Sequence, residues 1–356
     1  MTDLFSPLDL RGVRIANRSW VSPMCQYSAH EGVVGDWHLV HLGSFATGGA
    51  GLVLAEATAV SPEGRISVNC PGLWNDEQVT AWRRVTDFAH SQATPIGIQL
   101  AHAGRKGSTH APWAEHPFAR VGEGGWRTVA PSAVAFEGYP EPHALTGVEI
   151  DTLVEDFVSA AQRALAAGFD VLEVHAAHGY LLHEFLSPLS NRRDDEYGGS
   201  FENRTRLVLR VVDALRASIP EATALFVRLS ATDWSEGGWN DDETVALAAL
   251  LGERGVDLID VSSGGNVAGA QIPVGPGYQV AFAERVRREA HVASSAVGLI
   301  TEAHQADEII REGRADAVML ARANLRNPRW TLGAAEALGR VISWPHQFDR
   351  ARTLHS

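Results

Sequence analysis

Eight times along this chain a strand-length apolar run alternates with a longer segment of helical period, and that alternation limits the fold more than any other feature. The runs fall at 20–24, 51–56, 96–100, 171–174, 225–229, 258–261, 296–299 and 317–320. Near-continuous apolar strands separated by helices are buried on both faces, which means a parallel sheet covered by helices. Eight such units predict closure into a (β/α)8 TIM barrel. The alternative, an open doubly wound sheet, starts with a Gly-rich strand-to-helix turn. No GxGxxG stands in that context, and Gly48-Gly49-Ala50-Gly51 lies at a helix-to-strand junction, the wrong direction for cradling a pyrophosphate.

Helix boundaries can also be read. After Gly147, Leu153, Phe157, Ala160, Ala161, Ala164 and Leu165 recur at helical spacing, with Thr146 and Glu149 as a capping box and Gly168 as the stop. Asn240 and Glu243 predict the start of a helix over 241–254, and Thr301 the cap of one over 302–312. One stretch breaks the rhythm. Residues 101–147 are rich in Gly, Pro and Trp, including Trp113 and Trp126, and a connection this long is functional or disordered. It leaves from the C-terminal end of the third strand, so it is expected to be a lid over the catalytic face. The chain is read as one barrel domain, 1–356, with this lid and a C-terminal arm at 341–356.

The net charge of −13 and pI near 5.6 argue against nucleic-acid or anionic-membrane partners. Only two cysteines occur, Cys25 and Cys70, so neither a disulfide framework nor a four-cysteine metal site is expected. Cys70 is read as core. The N-terminus lacks a basic stretch followed by an apolar one, and no run approaches the roughly 20 apolar residues of a membrane span. A cytoplasmic setting is the simplest expectation.

The chemistry gathers where strands end. His175-Ala176-Ala177-His178-Gly179-Tyr180 follows directly on the apolar run 170–174, so two imidazoles and a phenol begin where a strand stops. That is where a barrel builds an active site. Two imidazole N–H donors suit a carbonyl oxygen that becomes negative, and a phenol two residues on can deliver a proton. The same HxxH spacing also suits a metal, leaving open a metal-dependent hydrolase with His102, His175, His178 and Asp233 as ligands. Against it stand the lack of HExxH and of an acidic cluster at strand ends. Gly298 at the seventh strand and Arg322 after the eighth occupy the positions where barrels hold a ligand phosphate.

The segments SPMCQYSA, IQLAHAGRKG, HAAHGYLLHEFLSPLSNRRDDEYGGSFENR and ADAVMLARANLRNP resemble the old yellow enzyme family of FMN-dependent ene-reductases, over essentially the whole chain. Cys25 in the first segment points to the thermophilic-like branch. The resemblance implies FMN across the barrel mouth, with Ala57 at its edge through the backbone and Gln99 at its pyrimidine side. Arg228 would sit beside N1, Gly298, Ala321 and Arg322 around the phosphate, and Pro23 and Met24 against the ring. Cys25 would modulate the flavin.

By the same resemblance NADH or NADPH reduces the flavin and leaves. An α,β-unsaturated carbonyl compound, or a nitro compound, then takes its place. Its oxygen is held by His175 and His178 while hydride passes from flavin N5, and Tyr180 protonates the α-carbon. Tyr27 and Lys106 would line the pocket. Arg350, in Gln347-Phe348-Asp349-Arg350, resembles an arginine that reaches the neighbouring subunit's site in a homodimer or homotetramer. The long 101–147 segment departs from the shortest members and is closer to xenobiotic-reductase-like ones. A non-catalytic flavin carrier would share the phosphate grip without needing His178 and Tyr180 together.

Overall fold

In the computed structural model, which describes residues 2–352, the eight units close into a barrel. Its strands are β1 (Ser19–Val21), β2 (Leu52–Ala59), β3 (Ile96–Ala101), β4 (Val171–Ala176), β5 (Ala224–Ser230), β6 (Leu258–Ser262), β7 (Ala293–Ala296) and β8 (Ala317–Leu320). Each pairs in parallel with its sequence neighbours, and β8 pairs with β1 to complete the ring. The helices that return the chain include α1 (Asp36–Ala46), α2 (Asp76–Ser91), α3 (Gly147–Ala166), α4 (Phe201–Ser218) and α5 (Asp241–Glu253). No helix among the described residues is long and apolar enough to cross a membrane. The end of the expected arm, 353–356, lies outside the described residues.

The lower barrel is packed solid. Trp20 stacks on Phe226 at 5.9 Å, among Leu52, Leu54, Val171, Leu258 and Met319. An N-terminal hairpin, Leu8–Leu10 against Val13–Ile15, joins this cluster through Leu10 and Ile15. Its strands are too short for periodicity to announce them. A second, larger core lies between the barrel wall and the helices, with Phe157, Ala160, Ala161 and Ala164 from the apolar face of α3.

The caps behave as their chemistry demands. Thr146 and Glu149 form the capping box of α3, Asn240 caps α5 by accepting from Glu243 N–H, and Gly168 takes φ +93°. Thr301 does not cap its helix. That helix runs Ala303–Arg311 from Glu302, and the Thr301 N–H instead donates to Gln305 Oε1 at 3.1 Å.

Two strands differ from expectation. The first stops at Val21, short of Pro23, which has no N–H to give a ladder. The seventh lies at Ala293–Ala296, not 296–299. Its serines are buried because Ser294 donates to the Ala283 carbonyl and Ser295 to Asp260, both at 2.9 Å. Small satisfied hydroxyls replaced the bulky apolar signal, and Val297, Leu299 and Ile300 are loop. Gly298 therefore lies just past the strand.

Candidate active site

The histidine–tyrosine stretch crosses the rim of the barrel. His175 still belongs to β4; the chain then turns, with His178 at φ +60°, Gly179 at φ +68° and a Tyr180 N–H to Ala177 carbonyl bond. This turn brings three rings together: His175 lies 5.2 Å from His178 and 5.1 Å from Tyr180, both edge to face. The three residues the sequence grouped are grouped in space.

Their protonation follows from their surroundings. Ala177 N–H donates to His175 Nδ1 at 3.3 Å, which leaves the His175 ring proton on Nε2. His178 Nε2 lies 2.7 Å from Ser262 Oγ, and its own N–H donates to Ser230 Oγ at 2.9 Å. Burial, then the charge of Arg228, holds both imidazoles well below their ordinary range, so both are neutral near pH 7. Burial likewise pushes the Tyr180 phenol well up, and it stays protonated.

The turn is clamped from outside. Lys106 Nζ donates to the carbonyls of His178 and Gly265, each at 2.8 Å, and lies 4.9 Å from the centre of the Tyr180 ring. The loops after β4 and β6 approach so closely that a Cβ on Gly179 would stand 2.3 Å from the Gly265 oxygen. Lys106, expected to line the pocket, spends its ammonium on these carbonyls, and desolvation lowers it to about 8. Behind the turn His183 Nδ1 accepts from Gly179 N–H at 2.8 Å, and its Nε2 lies 3.1 Å from the fully buried Asp233.

The barrel interior below these rings is polar. Arg228, midway along β5, pairs with Asp260 at 2.9 Å and donates to Ser22 at 3.2 Å. Gln99 donates to Glu173 at 2.7 Å. Gln99, Glu173, Arg228 and Asp260 are all buried. Sequence reading named Gln99 and Arg228 but missed Glu173, Asp260, His183 and Ser262. The signal was present for the first two, because an acid in the middle of an apolar strand (Val171-Leu172-Glu173-Val174, Leu258-Ile259-Asp260-Val261) is costly unless something holds it.

Around the mouth, Pro23, Met24 and Cys25 follow β1, and Ala57 is buried in β2 beside a register shift that falls between Ala55 and Ala57. Such bulges re-aim side chains next to sites. Here the residue between, Glu56, accepts from Gln26 N–H at 2.8 Å and lies 3.3 Å from His38. Gly298, Ala321 and Arg322 line one cavity with Ser262 and Tyr278. Gly298 has φ +122°, and a Cβ there would meet Tyr278 at 2.9 Å. Tyr27 packs edge to face on Trp113 of the 101–147 segment at 5.6 Å, and Arg105 joins that segment to the β6 loop through Val134 and Asn266. Arg350 is exposed in a terminal turn, His346–Ala351.

The metal ligand set does not assemble. Asp233 serves His183 and Ser187, while His102 Nδ1 accepts from Gly104 N–H. Among the described residues, the one group of three metal-capable donors within 4.8 Å is Cys25, Glu56 and Cys70.

A closed parallel barrel with neutral hydrogen-bond donors at its C-terminal rim, buried polar groups beneath them and a glycine–arginine cradle after β7 and β8 is the arrangement of a TIM-barrel enzyme that holds a phosphorylated ligand. Comparison with known proteins agrees. The profile of the NADH:flavin oxidoreductase / NADH oxidase family matches residues 3–339. An NADPH dehydrogenase of Geobacillus sp. (strain WCH70) is 49% identical, with 98% of each chain covered. An NADH:flavin oxidoreductase of Gibberella zeae is 47% identical, over 98% of this chain and 89% of its own length. The structure of morphinone reductase in complex with tetrahydroNAD superposes with a TM-score of 0.79 at 30% identity, covering 97% of this chain and 93% of that one. The chain belongs to the NADH:flavin oxidoreductase family, within the old yellow enzyme group. It is an FMN-dependent oxidoreductase that takes hydride from NADH or NADPH.

Proposed function

We propose that this enzyme reduces the activated C=C bond of α,β-unsaturated carbonyl compounds, and nitro compounds of similar shape. The observation that carries the reading is the rim cluster itself: two neutral imidazoles and a protonated phenol, with the His178 and Tyr180 ring centres 5.2 and 5.1 Å from that of His175.

The residues present fit FMN. Gly298 holds a φ that a side chain would strain and has no space for one, so bare backbone faces the cavity; Ala321 and Arg322 flank the same cavity, and a guanidinium gives a phosphate a fork of donors. Arg228 and Gln99 supply buried polar groups for the ring edge, Ala57 its backbone, and Pro23, Met24 and Cys25 the opposite wall. When bound, FMN would supply the hydride-transfer chemistry between the nicotinamide and the substrate. The chain's own residues do the rest. His175 Nε2–H and the His178 ring donate to the substrate oxygen as it gains negative charge. Donors aimed at such charge are worth about 10²–10³ in rate each. Tyr180 protonates the α-carbon, a step its un-ionised phenol suits at any working pH. Tyr27 adds a second hydroxyl near the oxygen, and Lys106 fixes the donor turn. Residues 101–147 act as the lid. Arg350 completes the site of a neighbouring copy in a dimer or tetramer.

The test is stopped-flow mixing of the photoreduced enzyme with a cyclic enone and, separately, a nitroalkene, without oxygen. Rapid return of the oxidised flavin band and recovery of the saturated product are expected. Flavin that stays reduced with every such acceptor, while NADPH still reduces it, sinks the substrate class.

A further inference from the structure

Two thiols meet beside the donor rim. Cys25, in the loop after β1, and Cys70, in the loop after β2, bring their sulfurs within 4.8 Å of each other. They are the only cysteines in the chain. Cys70 is buried with Ala57, Ile66, Ala101 and Ala103, and Cys25, Tyr27 and Tyr180 pack against that cluster. The fold sets the spacing, because the two loops are stitched by Ala29 N–H to the Asn69 carbonyl at 2.8 Å. Glu56 is third in the group, yet both its oxygens are engaged, one by Gln26 N–H and the other beside His38. A metal ion would have to compete for that carboxylate; a sulfur–sulfur bond needs nothing from it.

We propose that Cys25 and Cys70 form a reversible oxidation site that closes to an intrachain disulfide when the enzyme meets a hydroperoxide. One sulfur attacks the terminal oxygen: an S–O bond forms, the O–O bond breaks, and the alcohol leaves carrying the thiol proton. The second sulfur displaces hydroxide from this sulfenic acid: the S–S bond forms, the S–O bond breaks, and the second thiol proton leaves in water. Two thiols lose two electrons and one hydroperoxide gains them. The neighbouring Cys70, then burial, holds the Cys25 thiol well above its usual range. The thiolate is the nucleophile, so closure speeds up as pH rises. Closure removes the Cys25 S–H from the flavin side of the mouth. That consequence rests on the function proposed above, while the bridge itself does not.

The experiment treats the FMN-loaded enzyme with hydrogen peroxide, then denatures it, counts free thiols by alkylation and maps a non-reducing digest by mass spectrometry. Free thiols should fall from two to none, one cross-linked peptide should join residue 25 to residue 70, and dithiothreitol should restore both. In Cys70→Ser, Cys25 has no partner and should run on to sulfinic acid that dithiothreitol does not reverse. Sulfinic acid at Cys25 with Cys70 still free in the unsubstituted enzyme overturns the proposal. So does a bridge between two copies, or survival of both thiols. The thiol count is independent of turnover, so its outcome separates this site from the ene-reductase reading.

Discussion

Gln99 donates its amide N–H to Glu173 across β3 and β4, at 2.7 Å, with both side chains sealed inside the barrel. Desolvation, then the charge of Asp260, pushes the Glu173 carboxyl up to about 8, against the pull of Arg228 and Gln99. The unfolded chain releases that proton near pH 4.3. Between the two values the folded state binds more protons than the unfolded state, so stability falls as pH rises. This group's contribution is complete below about pH 4.3 and is lost as pH passes through about 8. Glu184, also raised to about 8 by burial, adds to the same slope. Glu173→Gln keeps a partner for Gln99 and cannot ionise. Denaturant unfolding at acid and mildly alkaline pH should show a shallower decline for the variant, by on the order of a few kcal/mol. An unchanged slope means Glu173 is already ionised at neutral pH.

Tyr180→Phe removes the phenol and keeps the ring that packs on His175. Re-oxidation of the reduced enzyme by an enone should slow by about 10²–10⁴, the usual weight of a positioned proton donor. Flavin reduction by NADPH should hold near its parent rate. Equal losses in the two half-reactions point to a structural role for Tyr180.

His175→Ala or His178→Ala should weaken phenolic ligands, whose oxygen resembles an enolate, by roughly 10–100-fold, the loss of one or two hydrogen bonds to a charged group. Titration of the flavin band with a para-substituted phenol reads this directly. Affinity that survives both substitutions moves the oxygen site elsewhere. Because both rings are neutral, phenol binding should not gain strength as pH drops through the ordinary histidine range.

What the sequence made legible was whatever depends on near neighbours in the chain. Most apolar runs, the caps at Thr146 and Asn240, and the His175–Tyr180 spacing are local, and these persist in the fold. Contacts closed by the barrel were hidden. Lys106 and His178 lie 2.8 Å apart only because β3 and β4 are neighbours, and nothing near Lys106 in sequence says that its charge is consumed by carbonyls. Cys70, read as core, meets Cys25 because β1 and β2 are neighbours. Short buried strands of small residues, such as Ala293–Ala296, carry no amphipathic signal at all. The family motifs pointed to site residues by likeness, and of these His175, His178 and Tyr180 come together in space.

Gly298→Val tests the phosphate cradle. A β-branched residue at φ +122° is strained, and its Cβ would meet Tyr278 and Gln279 at 2.9 and 3.0 Å. The purified variant should carry far less FMN, read as the ratio of flavin to protein absorbance, with affinity down by about 10²-fold or more, since each 1.4 kcal/mol is tenfold. Circular dichroism follows folding in parallel. Full FMN content in a folded variant places the phosphate away from this loop.

Asp233→Asn probes the support behind the donor turn. Asp233 carries its charge where no water reaches, held by His183 at 3.1 Å, Ser187 at 2.5 Å and Trp239 N–H at 3.0 Å. These partners bring its carboxyl down to about 2 although burial alone would raise it. The folded pKa is below the unfolded one, so this stabilisation is present above about pH 4 and is lost as pH falls toward 2. Weakening hydrogen bonds to a buried charged group costs about 1.5–3 kcal/mol each. The Asn variant should therefore unfold at lower denaturant near neutral pH, and the deficit should shrink in acid. His183 also holds Gly179 N–H, so the turn that presents His178 and Tyr180 should loosen as well. Misplacement of about 1 Å can cost 10²-fold in rate. A fall in the enone step larger than the fall in NADPH-driven reduction, at a temperature where the variant is still folded, identifies Asp233 as a positioning residue. Equal falls in the two steps reduce it to a structural one.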